Sequence, residues 1–354
     1  MGDGAIGVGL IGYGLAGAVF HAPLVEAEPR LRLRAVMTSR AGQVRQDHPG
    51  ARVVASADEL LAEEAVELVV VAAPNAAHFE LAAAALRAGR HVVVDKPFTL
   101  STTDADELIA LAEAEGRLLS VFQNRRWDGD FLTVRRCLEA GALGEVAGFV
   151  SRYERFRPTP KGGWKEAAVP GAGILWDLGP HLIDQALQLF GLPETVSADL
   201  GVQRPGVEAV DYARLALGYG RLRVLLHAAM VVRDPGPRFE VHGDRGSLRT
   251  WGLDPQEAAL RAGRRPGDPG WGSEPPERHA TLTGEVAGLE LRGRLAGVPG
   301  AYQAYYAAMA AAVAGEGPVP VAAGEARDTI AVIERALASS REGRVVRTAP
   351  AGPS

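Results

Sequence analysis

The chain has 354 residues, enough for two domains and a sizeable core, and its 47% hydrophobic and 23% charged residues are those of a globular protein. A net charge of −5 gives no reason to expect nucleic acid or an anionic membrane as partner, and the one cysteine, Cys137, excludes an internal disulfide and any thiolate cluster. No apolar run approaches the roughly 18 residues of a membrane span. The N-terminal stretch has no charged-then-apolar signal segment and no twin arginine, and position 6 is Ile where myristoylation needs Ser or Thr, so the expected location is the cytoplasm.

In chain order, the first predicted element is an apolar run at 7–11 that reads as a buried parallel strand. It feeds into Gly12-x-Gly14-x-x-Gly17, and an Ala-rich segment with helical spacing follows over about 16–27. In a dinucleotide site each glycine serves a separate purpose. Gly12 permits the tight turn, Gly14 leaves no side chain between backbone and pyrophosphate, and Gly17 lets helix and strand pack closely. Leu15 and Ala16 stand at the helix start, where free N–H groups and a partial positive charge face the phosphates. With 43 glycines in the chain the pattern alone is weak, and an ordinary tight turn would also satisfy it; the strand before and the helix after give it weight.

Further strands are predicted at 31–37, 52–55, 68–72, 91–94 and 118–121, with helical segments such as 78–88 and 103–115 between them and Ser101 and Thr102 as N-cap candidates for the latter. Val69-Val70-Val71 and Val92-Val93-Val94 are continuous and β-branched, as in strands covered on both faces. Strand–helix alternation with short links predicts an α/β fold whose first part, residues 1–123, is a Rossmann-type doubly wound parallel sheet. The pattern then changes. A helix at about 128–140, with Cys137 buried on it, leads to a strand at 145–155, a Gly/Pro-interrupted loop and a helix ending near 189. Strands at 195–202, 212–217, 222–232, 238–242 and 247–251, separated by turn signals, predict an open, mainly antiparallel sheet in a second α/β domain over 124–354. Residues 263–276 read as an irregular excursion, 302–314 and 325–341 as helices, and 349–354 as a disordered tail.

An NAD site places an Asp or Glu at the tip of the second strand, whereas NADP needs that charge absent and a cation nearby. Here the strand ends Met37-Thr38-Ser39-Arg40, which predicts NADP preference, with NAD as the alternative. A polar loop with a solvated Arg would look the same. Ligands of open α/β sheets lie off the carboxyl ends of the strands. Two segments emerge there: Pro74-Asn75, where Asn75 can bond ribose or amide, and Asp95-Lys96-Pro97, where Lys96 could reach the nicotinamide end. In the second half, Asp177 and His181 are spaced to share one face of a helical turn, with Pro180 in a first turn or at a kink. A carboxylate beside an imidazole suits it to move a proton near neutral pH, although such pairs also occur as surface or capping pairs. His78, His91, His227 and His242 lie in apolar or strand patterns and read as structural; His48 and His279 read as exposed. No grouping has metal-site spacing. Together these parts suggest hydride transfer to or from a secondary alcohol, with Lys96 and the Asp177/His181 pair, from different domains, meeting across a cleft.

The glycine fingerprint, Pro74-Asn75-x-x-His78, Asp95-Lys96-Pro97, Asn124-Arg125-Arg126-Trp127 and Asp177-x-x-x-His181-x-x-Asp184 resemble the glucose–fructose oxidoreductase/inositol dehydrogenase/rhizopine catabolism (Gfo/Idh/MocA) family over nearly the whole chain. Within it, the stretches 19–24, 37–40, 125–133 and 260–272 are similar to the NADP-dependent scyllo-inositol dehydrogenases. The resemblance implies a cofactor site that includes Pro74, Asn75, His78, Asp95, Lys96, Asn124 and Arg126. It also implies a Lys96 near nicotinamide and substrate before an often cis Pro97, His181 as acid/base, and Asp177 bonding substrate or tuning that His. Tyr153, Arg155 and Trp164 occupy substrate-contacting positions, with core packing or solvation as the plainer role. The expected substrate is a polyol or sugar, and the expected assembly a homodimer or homotetramer through the second domain's sheet. Two departures stand out: Asp95 replaces the family's usual Glu, and Gly171-Ala172-Gly173 replaces a triple glycine, which would narrow the space beside the substrate. A non-catalytic NADP-binding regulator and a nicotinamide-dependent glycosidase are the competing readings of the same fold.

Overall fold

The computed structural model describes residues 4–348, and of Val286 the backbone alone; the expected tail at 349–354 lies outside the described residues. The chain forms two compact units. The first runs to Trp127 and includes Pro255–Trp271 and Ala301–Arg327; the second comprises Asp128–Asp254, Gly272–Gly300 and the chain from Asp328 onward.

In the first unit, strands β1 (Ile6–Ile11), β2 (Leu31–Met37), β3 (Arg52–Val54), β4 (Leu68–Val71), β5 (His91–Asp95) and β6 (Leu119–Phe122) form one parallel sheet in the order β3-β2-β1-β4-β5-β6. This is a doubly wound sheet whose strand order reverses between β1 and β4. The three valines of β4 and the three of β5 are fully buried, as continuous apolar runs require, each worth roughly 1.5–3 kcal/mol of burial. Helix Thr102–Ala114 starts at Ser101, whose hydroxyl accepts the Asp104 N–H at 3.0 Å. The helix after β1 differs from expectation: it opens as a wide π-turn over Ala16–His21 and becomes α-helical only at Ala22–Glu26, with Pro23 in its first turn. A buried aromatic group of Phe122, Tyr305 and Tyr306 packs around His21, whose Nδ1 lies 2.6 Å from the Tyr306 hydroxyl.

Two histidine expectations fail. His48 is buried, because Nδ1 bonds Glu26 at 2.6 Å and the Tyr13 ring stands edge-on against it. In the second unit His279 is half-buried beside Glu274 and Arg278. The other four bond the chain itself: His91 Nδ1 accepts the Leu118 N–H, His227 bonds Glu154, His242 bonds Ser247, and His78 lies between two carbonyls described below.

The second unit carries β7 (Val146–Glu154), β8 (Thr195–Gly201), β9 (Tyr212–Tyr219), β10 (Leu222–Ala229), β11 (Phe239–Gly243), β12 (Gly246–Thr250), β13 (Ala280–Val286), β14 (Leu289–Leu295) and β15 (Val346–Arg347) in the order β14-β13-β12-β11-β7-β10-β9-β8-β15. Only β7 and β10 run parallel; every other neighbouring pair is antiparallel. Alternation along β7 buries Phe149, Ser151 and Tyr153 and turns Arg152 and Glu154 the other way. Helices Gly129–Glu139 and Gly179–Phe190 pack on this sheet, and the former holds Cys137 buried, which pushes its thiol pKa up.

Candidate active site

The turn after β1 separates the three glycines by what each must avoid. Gly12 has φ +99°, and a Cβ there would stand 2.4 Å from the Ala72 carbonyl oxygen. A Cβ on Gly17 would stand 2.1 Å from the Gly12 carbonyl oxygen. Both glycines are therefore demanded by the packing of this chain on itself. Gly14 is different: nothing lies within 4 Å of its missing Cβ. The fold leaves that space open, at the strand-order reversal and beside the exposed Leu15, where a pyrophosphate needs the backbone bare. The turn fits a dinucleotide.

Beyond β2 there is no carboxylate. Thr38 Oγ1 accepts the Arg40 N–H at 2.9 Å, fixing the turn, while Ser39 and Arg40 are exposed. Among the described residues the Arg40 guanidinium has no ion-pair partner, so it is available to a phosphate.

At the ends of β4 and β5 the buried His78 joins two loops: its Nδ1 faces the Pro97 carbonyl at 2.8 Å and its Nε2 the Ala73 carbonyl at 3.0 Å. That contact brings Pro74 and Asn75 together with Asp95 and Lys96. The Lys96–Pro97 peptide is cis, as the resemblance implied. Asp95 Oδ1 accepts the Lys96 N–H at 2.8 Å and lies 3.8 Å from His21 Nε2. Burial opposes the Asp95 charge, but the His21 contact and the attraction of Lys96 and His78 outweigh it and hold the carboxyl below the usual range. Asn124 and Arg126 sit buried in the short turn Asn124–Trp127; the Arg126 guanidinium bonds Glu325 at 2.9 Å, and its neighbour Arg125 bonds Glu257 at 2.7 Å and Tyr302 at 3.1 Å.

In the second unit Asp177 and His181 are not on one continuous helix. Asp177 ends the short helix Ile174–Asp177, Leu178 breaks the run, and His181 lies in the first turn of Gly179–Phe190, where Pro180 costs no hydrogen bond. Asp177 Oδ1 accepts from Lys165 Nζ at 2.7 Å, a partner absent from the sequence reading. His181 and Asp184 are buried; the His181 ring is 6.3 Å from that of Tyr153, which is fully buried under the Arg238 guanidinium, 4.1 Å from the ring. Gly171 and Gly173 have φ +76° and +88°, but Ala172 between them does not have positive φ, so the alanine adds a methyl without backbone strain.

Asp177, Arg155 and Trp164 line one open cleft of about 330 Å³. Tyr153 and His181 are not among its lining residues. Arg157, Lys161, Lys165 and Arg204, which sequence reasoning missed, line it too. The run from Arg152 to Lys165, with five cations in 14 residues, was the signal that could have found three of them.

Two family models of this oxidoreductase family match the chain: the NAD-binding Rossmann fold over residues 6–123 and the C-terminal alpha/beta domain over 135–348. Among curated relatives, the oxidoreductase YdgJ of Escherichia coli (strain K12) is 46% identical over 95% of this chain and 96% of its own length. The scyllo-inositol 2-dehydrogenase (NADP(+)) IolW of Bacillus subtilis (strain 168) is 40% identical over 96% and 95%. Among solved structures, the oxidoreductase yvaA from Bacillus subtilis superposes with a TM-score of 0.95 at 39% identity, covering 99% of this chain and 100% of that one. The YPO2259 oxidoreductase from Yersinia pestis gives 0.93 at 43%, covering 98% of each. The chain belongs to the Gfo/Idh/MocA family of NAD(P)-binding oxidoreductases.

Proposed function

We propose that the protein is an NADP-dependent dehydrogenase that interconverts a secondary alcohol of a cyclic polyol or sugar and the corresponding ketone. The observation that carries this reading is the carboxylate-free end of β2, with Arg40 beyond it unpaired among the described residues, in a sheet whose Gly14 turn is left open. The NADP-dependent inositol dehydrogenase among its relatives supports both the coenzyme and the substrate class.

Gly12, Gly14, Leu15, Ala16 and Gly17 would hold the pyrophosphate, Thr38, Ser39 and Arg40 the adenosine 2′-phosphate, and Pro74, Asn75, Asp95 and Asn124 the rest, with His78 and Arg126 bracing the loops around them. When bound, the coenzyme supplies the hydride acceptor or donor. His181 takes the proton of the reacting hydroxyl and returns it in the reverse direction; Lys96 donates a hydrogen bond to that oxygen and favours its anionic form. Asp177, with its charge shared by Lys165, holds a ring hydroxyl. A cytoplasmic homodimer or homotetramer built on the antiparallel sheet is the expected assembly; no helix among the described residues is long and apolar enough to cross a membrane.

The test is absorbance at 340 nm with NADP and a panel of inositols, hexoses and sugar acids. Reduction of NADP by at least one cyclic polyol or sugar is expected. Tight NADP binding with no oxidation of any compound would favour a regulator instead.

A further inference from the structure

The cleft of the second unit carries charge that oxidation of a neutral polyol does not need. Three of its five cations are already matched: Lys165 by Asp177 at 2.7 Å, Arg204 by Asp211 at 2.8 Å and Glu166 at 2.9 Å, and Arg155, which also has a partner within the chain. Arg157 and Lys161 are not. Both are exposed, and neither the guanidinium nor the ammonium has a hydrogen-bond or ion-pair partner among the described residues. Their backbones, by contrast, are fixed. The Arg157 N–H donates to the Met230 carbonyl at 2.7 Å, and the Arg157 carbonyl accepts from Arg204 at 3.2 Å. Glu166 Oε2 accepts the N–H groups of Lys161 and Gly162 at 2.9 and 2.7 Å. Two anchored stems thus present unmatched charges to one cavity.

The same cavity is lined by Trp164, which is 40% exposed, and by the apolar side chains of Val207 and Met230. The Lys165 ammonium stands 5.8 Å from the centroid of the Trp164 ring, and the exposed part of the indole offers apolar surface to the C–H face of a sugar ring, with the polar groups around it able to fix the ring's orientation. In a chain of net charge −5, a local excess of cations attracts anions selectively to this cleft.

We propose that the substrate is a sugar or polyol bearing an anionic substituent, a carboxylate or a phosphate, received by Arg157 and Lys161. The guanidinium suits the two oxygens of either group, and the ammonium adds a second charge-assisted bond. This rests on the dehydrogenase reading for the fate of the ring, but not for recognition of the anion.

The test has two readouts on the NADP-loaded protein. Calorimetric titration compares a hexuronic acid, a hexose 6-phosphate, the neutral hexose and a neutral inositol at low and moderate salt; steady-state kinetics at 340 nm uses the same set. At least one anionic compound should bind about 10-fold or more tighter than its neutral counterpart, the charge-assisted bonds being the difference, and this advantage should shrink as salt rises. Which of the two wins identifies the substituent. The double variant Arg157→Ala/Lys161→Ala should lose the advantage and bind neutral rings and NADP as before. Equal binding of charged and neutral rings, or an advantage that survives in the double variant, overturns the proposal. Anion preference in calorimetry without oxidation of any ring would uphold it and sink the dehydrogenase reading; oxidation of neutral polyols without anion preference would do the reverse.

Discussion

Replacing Gly14 and Gly17 separately by alanine distinguishes a phosphate cradle from a merely tight turn. At Gly17 the added Cβ would lie 2.1 Å from the Gly12 carbonyl oxygen, whereas ordinary contact begins at 3.4 Å, so helix and strand must part by more than an ångström. Overpacking of that kind costs about 1–3 kcal/mol, and at roughly 2–4 °C per kcal/mol for a unit of this size Tm should fall by about 2–12 °C. At Gly14 the methyl would meet nothing within 4 Å, so stability should stay within about 0.5 kcal/mol of the parent. If pyrophosphate passes over Gly14, the same methyl occupies its path. Losing one or two hydrogen bonds to a charged group, at about 1.5–3 kcal/mol each, raises Kd for NADP roughly 10-fold to 100-fold or more. Thermal denaturation without ligand and fluorescence titration with NADP measure the two effects independently. Gly14→Ala binding NADP as tightly as the parent would remove the phosphate from this turn; a loss of stability equal to that of Gly17→Ala would show that the space is not open.

Arg40→Ala should raise KM for NADP about 10-fold to 100-fold through loss of a charge-assisted bond to the 2′-phosphate, and leave KM for NAD near its starting value; equal effects on the two coenzymes, measured by initial rates, would dissolve the NADP argument. His181→Gln should lower kcat about 100-fold to 10,000-fold and leave NADP affinity intact, and Lys96→Met should lower kcat comparably, both followed at 340 nm; near-normal kcat in either would exclude that residue from proton transfer. Glu274 offers a pH test: burial, with repulsion from Asp130 and Asp128 and against the pull of Arg278, pushes its carboxyl from the ordinary 4.5 up to about 7. A folded pKa above the unfolded one means a contribution fully present below pH 4.5 and lost as pH rises through 7. Holding the carboxylate ionised at pH 8 then costs on the order of 3 kcal/mol, so Glu274→Gln should melt higher than the parent at pH 8 and level with it near pH 4.5, and a pH-independent difference in Tm would refute the linkage.

How much of the fold was legible follows from which signals are local. Continuous valines over 69–71 and 92–94 announce strands buried on both faces, and every strand of the first unit falls within a residue or so of its expected bounds. The hairpin β13–β14 goes unread for a physical reason. Leu289 and Leu291 of β14 are exposed, Leu289 at 72%, so no hydrophobic alternation marks a buried face along that strand, and Gly284 and Gly293 interrupt the two strands. Its turn is Ala287-Gly288 with positive φ at both, where Asn-Gly or Asp-Gly would have been the readable choice. The short helix Gln256–Arg261 escapes for a related reason, being buried at only Gln256 and Leu260 and so too brief to show a period.

The candidate site divides along the same line. The spacing Gly12-x-Gly14-x-x-Gly17 encodes a turn, but only the folded neighbours show that two of the glycines are demanded by the chain itself and that no neighbour demands the third. Spacing also places Asp177 and His181 on one turn, but it shows neither the break at Leu178 nor the pairing of Asp177 with Lys165, 12 positions earlier, on a loop whose N–H groups at Lys161 and Gly162 are held by Glu166. Arg126 bonds Glu325, 199 positions away, and His48 reads as exposed in the sequence for want of Glu26, its partner across 22. Charges are the least readable residues in a linear sequence because their effect depends on which partner neutralises them, and that partner is chosen by tertiary contact. The consequence bears on substrate recognition. Of the cations around the cleft of the second unit, composition treats Arg157, Lys161, Lys165 and Arg204 alike, whereas the fold pairs Lys165 and Arg204 internally and leaves the charges of Arg157 and Lys161 without a partner among the described residues.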